Sequence, residues 1–356
     1  MNPAALNALL LYCRAGFEND CAGEICARAA RHDAAGYAKT TLDSGYVVFH
    51  PHEAAALADA WGELRLDSLI FARQLVWVTG LVSDLPIGDR TGPLLDAARR
   101  FGTRFSDVWL ETADTNEAKE VSGFCRKFAK PLAAELLRAG LAGDDARLPR
   151  LHVFFLGSAA AWVGVTDPAL AAPWPMGILR LKMPGSAPSR STLKLAEAFK
   201  VFDIEPRLRA GQTAVDLGAA PGGWSWQFAR REIHVTAVDN GAMDKALLAT
   251  SLVEHLRADA FHWRPKASQM KCVDWLVCDM IEKPSRIATL IAEWIAAGLA
   301  REAIFNLKLP MKKRREEVGR CIDLIDDRLD AARIKYRLRC KQLYHDREEI
   351  TCHLRT

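Results

Sequence analysis

Short apolar runs alternate along the chain with segments whose apolar residues recur at helical spacing. Strand-like Leu9–Cys13 is followed by a helix over Glu18–Ala30 and strand-like Tyr46–Phe49. A helix over Glu53–Trp61 and a β-rich Leu69–Val78 come next. That order predicts a ferredoxin-like α/β unit over residues 1–80. A second α/β unit is expected over 81–165. It has a helix from Gly92 to Phe101, a strand at Val108–Leu110 and a longer helix from Asn116 to Ala139, which Pro131 is expected to bend or divide. Leu151–Leu156 and Ala161–Val165, separated by Gly157-Ser158, read as a hairpin.

Pro168, Pro173, Pro175, Pro184 and Pro188, with Gly177 and Gly185 among them, interrupt this periodicity. They predict a linker over 166–188, crossed by a short β segment at Ile178–Leu181. From 189 onward the pattern is that of an open α/β sheet. Leu195, Phe199 and Phe202 fall at helical spacing behind a serine available as N-cap. Apolar strands then end in charged residues: Val235–Asp239, Leu256–Asp259, Val273–Asp279 and Ala303–Lys308. Between the last two, Ser285 is expected to cap a helix carrying Ile287, Leu290, Ile291, Trp294 and Ile295 on one face, and the C-terminus reads as two strands joined near His345-Asp346. In open α/β sheets the edge at the strand C-termini is where ligands bind.

Composition adds limits. The net charge of +4 neither demands nor excludes a nucleic-acid partner. No long apolar run suggests a membrane span, and Met1-Asn2-Pro3-Ala4 lacks the features of a secretory leader. The nine cysteines form no C-x-x-C pair, so they read as small buried hydrophobes in a reducing cytoplasm, with no zinc site.

The stretch that organises the second half is Val215-Asp216-Leu217-Gly218-Ala219-Ala220-Pro221-Gly222-Gly223-Trp224. A buried strand, a tight glycine turn and a helix start present backbone N–H groups to a ligand, and glycine permits both close approach and positive φ. The order differs from the dinucleotide G-x-G-x-x-G pattern, and Pro221 suits a ligand other than a pyrophosphate. Asp239 stands 23 positions beyond Asp216, near the distance at which such folds bind ribose hydroxyls.

This stretch resembles the first motif of S-adenosylmethionine-dependent ribose-2′-O-methyltransferases that act on RNA. Ser191-Thr192-Leu193-Lys194-Leu195, Cys278-Asp279-Met280, Asn306-Leu307-Lys308 and Glu349 within Arg347-Glu348-Glu349-Ile350-Thr351 match further pieces in order. The full layout resembles bacterial enzymes that methylate a cytidine ribose in 23S ribosomal RNA and carry an RNA-binding THUMP domain before the catalytic domain. The resemblance therefore implies a THUMP-like RNA-binding unit at 81–165 and a Rossmann-like methyltransferase domain at 189–356. It implies Lys194, Asp279, Lys308 and Glu349 as catalytic residues, with Glu348 an alternative to its neighbour. Ser191, Gly218, Ala220, Pro221, Gly222, Gly223, Trp224, Asp239, Asp259 and Asp279 are expected around S-adenosylmethionine, with Asp259 near the adenine.

The implied chemistry is physically coherent and requires no metal. A ribose hydroxyl must lose its proton as it accepts the methyl group. Lys308 can take that proton if burial and the nearby Lys194 cation lower its pKa. Lys312-Lys313-Arg314-Arg315, and Lys335, Arg337, Arg339 and Lys341 on one strand face, are candidate phosphate contacts. Two rivals are an RNA base methyltransferase, which places Asn-Pro-Pro-aromatic where this chain has Asp279-Met280-Ile281, and a non-catalytic RNA-binding protein with a decayed site. Retention of both lysines argues against the second.

Overall fold

In the computed structural model, which describes residues 1–265 and 272–356, the apolar runs of the first half meet in one sheet. Its strands are β1 (Ala8–Tyr12), β2 (Gly36–Thr40), β3 (Tyr46–Pro51), β4 (Gln74–Val82), β5 (Asp107–Glu111), β6 (Arg150–Gly157) and β7 (Ala160–Thr166), in the order β2-β3-β1-β4-β7-β6-β5. β1 is apolar at almost every position and buried throughout, and pairs antiparallel with both β3 and β4. Helices α1 (Glu18–Ala30), α2 (Ala55–Asp59), α3 (Thr91–Arg99) and α4 (Lys119–Arg138) complete this unit. β4 pairs with β7, Trp77 opposite Val165, so a single sheet crosses the boundary expected at residue 80.

Several expectations change. Edge strand β2 lacks a buried face, so its periodicity gave no signal. α2 is shorter than the segment expected at Glu53–Trp61, and β4 begins later than Leu69. α4 runs through Pro131 undivided. Lys127 and Pro131 both face solvent, so water can serve the carbonyl that loses its donor.

The linker expected at 166–188 is largely part of the first unit. Gln74 donates to the Ala172 carbonyl and accepts from the Ala172 N–H, both at 3.2 Å, and Ile178 is buried. No strand forms at 178–181, and the two compact units are Met1–Leu179 and Arg180–Thr356. Deep in the first unit, the Glu111 carboxylate accepts from Tyr12 Oη at 2.7 Å and pairs with His152 Nδ1 at 2.7 Å. It also accepts the Met176 N–H, which ties the proline-rich segment down.

The second unit begins with α5 (Thr192–Val201), then β8 (Thr213–Leu217), α6 (Gly223–Ala229), β9 (His234–Val238), α7 (Lys245–Leu248) and β10 (Val253–Leu256). β11 (Val273–Cys278), α8 (Pro284–Ala296), β12 (Ala300–Lys308), α9 (Arg314–Ala331), β13 (Arg337–Lys341) and β14 (Glu349–Arg355) follow. The sheet order is β10-β9-β8-β11-β12-β14-β13. β8 to β12 run parallel, and β14 is antiparallel to β12. Trp275, Trp294, Phe228 and Phe305 are fully buried in this unit.

The α5 and α8 starts differ from expectation. Ser191 makes no side-chain cap bond, and α8 begins at Pro284, so Ser285 lies inside its first turn. The cysteines also require a correction. Cys340 and Cys352 lie directly opposite on β13 and β14 and form a disulfide. Among the described residues, no helix is long and apolar enough to cross a membrane.

Candidate active site

The strand order reverses between β8 and β11, and the charged residues gather where the parallel strands end beside that reversal. Asp279 directly follows β11, Lys308 is the last residue of β12, and Glu349 is the first of β14, in register with Lys308. Lys194 enters from the first turn of α5. Its Nζ lies 3.2 Å from Asp279 Oδ2 and 2.6 Å from Glu349 Oε1. Lys308 Nζ also contacts both carboxylates. Each ammonium therefore bridges the same two acids, in a tetrad without net charge. The four side chains keep between 5 and 22% of their surface, enough for a small group to reach them. Strand alternation turns Glu349 inward and leaves Glu348 outside, where it pairs with Arg314 at 2.8 Å.

The expected lowering of the Lys308 pKa is overturned. Burial pulls it down, but the charges of Asp279 and Glu349 and their hydrogen bonds outweigh burial and hold Lys308 above the ordinary lysine value. Lys194 does not act on it as an isolated like charge, because the two carboxylates lie between the cations. Glu349 is held below the usual carboxylate value: burial alone would raise it, and the Lys308 and Lys194 charges prevail.

A buried polar chain supports the tetrad. Asn306 Nδ2 donates to Asp279 Oδ1 at 2.9 Å, while Asn306 Oδ1 accepts from Thr351 Oγ1 at 2.8 Å. Thr351 Oγ1 also lies 3.0 Å from Asp346 Oδ2. A hydroxyl has one proton to give. With Thr351 donating to Asn306, the Asp346 carboxyl must supply the proton between them. Burial, with the Glu349 charge adding to it, pushes Asp346 well above the usual range and keeps it protonated. Sequence reading missed Thr351 and Asp346; polar residues set beside or within an apolar β run were the available signal.

The glycine turn lies beside this cluster. Gly218 and Gly222 take φ of +76° and +112°, and a Cβ on Gly218 would meet Met280 Cγ at 2.2 Å. A Cβ on Gly223 would meet Ser191 Oγ at 2.5 Å, so Ser191 packs directly on the turn. Ala220 N–H donates to Asp239 Oδ2 at 3.0 Å and Gly241 N–H to Asp239 Oδ1 at 2.6 Å, while Pro221 contributes its carbonyl to Asp244 N–H. Each Asp239 oxygen retains acceptor capacity for a ligand hydroxyl.

Other expected residues fall differently. Trp224 is buried in the core, with its indole N–H on the Ser191 carbonyl at 3.0 Å, so its ring is spent on packing. Asp259 lies beyond β10 on an exposed turn, where it accepts from Phe261 N–H at 2.8 Å. Asp216 is buried under Ser225, which donates to it at 2.7 Å; burial pushes it up to about 7, with Asp279 and Asp239 adding to the rise. Asp274 lies at the far edge, accepting from Thr213 N–H.

The basic stretches also divide. Lys312, Lys313 and Arg315 are exposed just past β12. On β13, Arg339 turns inward, donates to the Phe202 carbonyl and stacks on the Phe202 ring, so it is spent within the fold and is not the phosphate contact expected there.

Three family models match the chain. The RlmM ferredoxin-like domain matches residues 6–76, the N-terminal model of ribosomal RNA large subunit methyltransferase M matches 89–167, and the FtsJ-like methyltransferase matches 187–335. The last stops before β13 and β14, so Glu349 lies beyond it. The ribosomal RNA large subunit methyltransferase M of Methylococcus capsulatus is 56% identical over 347 residues, 97% of each chain. Those of Thauera aminoaromatica and Azoarcus sp. are 50% and 51% identical, over 99% and 98% of this chain and 98% and 96% of theirs.

Proposed function

Because the chain belongs to the ribosomal RNA large subunit methyltransferase M family, we propose that it transfers the methyl group of S-adenosylmethionine to a ribose 2′-hydroxyl of 23S ribosomal RNA, at a cytidine. The observation that carries the ribose assignment is the closed tetrad of Lys194, Asp279, Lys308 and Glu349 at the sheet edge. A base-modifying site needs groups that hold a planar amine. This edge instead offers a lysine able to take a hydroxyl proton, and Asp279-Met280-Ile281 where the base-modifying pattern has Asn-Pro-Pro-aromatic.

The residues present fit S-adenosylmethionine. Gly218 and Gly222 open the turn with positive φ, Gly223 lies against Ser191, and Asp239 stands ready for ribose hydroxyls. Gly218, Ala220, Pro221, Gly222 and Gly223 would hold the nucleoside, with Asp279 at the reacting end. When bound there, S-adenosylmethionine supplies an electrophilic methyl group. Lys308, in its neutral form, accepts the 2′-hydroxyl proton; Asp279 and Glu349 fix its position, and Lys194 balances their charge. Asn306 holds Asp279 from behind. Placing the hydroxyl and the methyl carbon in line is the largest service such a site performs.

The first unit serves to hold RNA, and the cytoplasm is where such a substrate is found. The test is labelled methyl transfer to undermodified 23S ribosomal RNA, followed by mapping of 2′-O-methylation. A single new ribose methyl supports the assignment; label on a base overturns it. Asp239→Ala is expected to weaken S-adenosylmethionine binding about tenfold or more, since a hydrogen bond to a charged group is worth ~1.5–3 kcal/mol. Parent-like binding would remove Asp239 from the ribose.

A further inference from the structure

Two large apolar side chains stand in solvent beside the tetrad. Ile281 is 94% exposed and Met311 89%. Ile281 lies two residues past Asp279 and Met311 three past Lys308, and Asp279 and Lys308 touch. An extended chain covers at most ~3.6 Å per residue, so their backbones lie within roughly 7 and 11 Å of those site residues.

Neither protrusion comes from an untethered loop. Met280 is packed against Gly218, and Glu282 accepts from Lys283 N–H at 2.7 Å and pairs with Arg286 at 2.5 Å. On the other loop Leu309 is buried, its N–H donates to the Glu348 carbonyl at 2.7 Å, and Pro310 fixes the next φ. Each exposed residue thus sits on or next to an anchored one. Neither side chain gains the burial that its apolar surface would reward within this fold.

We propose that Ile281 and Met311 bracket the nucleobase of the target nucleotide and hold it out of the RNA stack while its ribose reaches the tetrad. The proposal rests on the ribose-methylation reading above. The tetrad keeps only 5 to 22% of its side-chain surface, and both loops leave directly from its strands, so a nucleotide whose 2′-hydroxyl reaches Lys308 comes close to both. A nucleotide still stacked between its neighbours presents their bulk to the same opening. An unstacked base has two apolar π-faces, which aliphatic and thioether side chains cover well. The exposed cations directly after Met311, Lys312, Lys313 and Arg315, suit the phosphates on either side of such a base, and a purely apolar protein partner would not call for them.

The experiment uses the full chain with Ile281→Ser, Met311→Ser and the double variant on undermodified 23S ribosomal RNA. Each single change is expected to cost about tenfold in kcat/KM for RNA, and the double about a hundredfold if the contacts are independent. The loss is expected mainly in KM, with S-adenosylmethionine binding and Tm at parent values because neither side chain is packed. Leucine at either position is expected to restore activity.

A second arm measures fluorescence anisotropy of a labelled single-stranded RNA and of the same strand with one abasic nucleotide at the target position. The parent is expected to bind the abasic strand about tenfold more weakly, and the double variant to bind both alike. Parent-like kinetics in the double variant, or equal sensitivity of both proteins to base removal, overturns the bracket and leaves these residues to a protein partner. Failure of the parent to methylate ribose overturns the preceding assignment instead, and the abasic comparison still decides the bracket.

Discussion

Each unit buries charged or hydrogen-bonding groups, and the two clusters differ in what surrounds them. In the first unit Glu111, His152, Tyr12 and Thr166 are sealed inside the sheet, each partner satisfied by another. In the second, the Lys194–Asp279–Lys308–Glu349 tetrad sits at strand ends with part of each side chain still open. The sealed cluster cannot exchange protons with a substrate, so its energy goes into holding β5, β6 and the 172–178 segment together. The open one holds two cations and two anions in balance, an arrangement that a bound ligand can disturb. Burial separates a structural cluster from a chemical one more sharply than residue type does.

The largest expected effect falls on the open cluster. Lys308→Ala is expected to lose about 10²–10⁴-fold in single-turnover methyl transfer while S-adenosylmethionine binding survives. Lys308→Arg is expected not to restore it, because a guanidinium stays protonated at any useful pH. Near-parent turnover in the arginine variant would make position 308 an electrostatic or phosphate-binding group.

The sealed cluster is expected to answer in stability. Glu111→Ala leaves His152 and Tyr12 without their acceptor, and breaking a buried pair typically costs about 3–5 kcal/mol. Denaturant titration would show this as a loss confined to the first unit, with cofactor binding intact. Its pH dependence follows from the depressed Glu111 pKa: burial opposes ionisation, but the His152 charge and the His152, Met176 and Tyr12 hydrogen bonds outweigh it. A carboxylate with a folded pKa below its unfolded value contributes stability above the unfolded value. That stability is lost as pH falls through the folded one. The parent's advantage over Glu111→Gln is therefore expected to shrink on acidification. An advantage that grew would contradict the pairing.

Asp216 carries the opposite sign and a smaller effect. Its folded pKa is raised to about 7 by burial, so the native state keeps a proton that the unfolded chain releases. Stability is therefore lost as pH rises from the unfolded value toward 7 and stays level above it. The shift from 3.8 to about 7 caps that penalty at about 4 kcal/mol, and Asp216→Asn is expected to recover part of it, on the order of 1–2 kcal/mol at pH 8 in the cofactor-free protein, with little change at pH 4. Equal effects at both pH values would contradict it. Smaller still, Thr351→Val is expected to cost about 1 kcal/mol of stability and roughly tenfold in turnover, by releasing Asn306 from its partner.

These contrasts also show what the sequence could reveal. The β-runs of the second unit were legible because parallel strands are buried on both faces and read as continuous apolar segments. Asp279 and Lys308 were legible because they follow or end such runs, whereas Lys194, on a helix, and Glu349, at the start of an antiparallel strand, were named only by the resemblance. Edge strand β2 was not, since Gly36–Thr40 has no buried face to leave a period. The docking of 166–179 depends on Gln74 meeting Ala172, a contact 98 positions apart that no local pattern announces. The sign of the Lys308 shift failed for a related reason. Linear order names the charged residues, but only register and the approach of α5 show that the carboxylates stand between the two lysines.

The central claim is that Asp279 and Glu349 keep Lys308 protonated until its proton-accepting form is needed. It is tested most directly by single-turnover methyl transfer at saturating RNA and cofactor across roughly pH 6 to 10. The account predicts a rate that climbs with pH through this range without levelling, and a midpoint that drops into it when Glu349→Gln removes one of the two holding charges. A plateau below pH 8 in the parent, unmoved by Glu349→Gln, would show that Lys308 is already neutral and would contradict it.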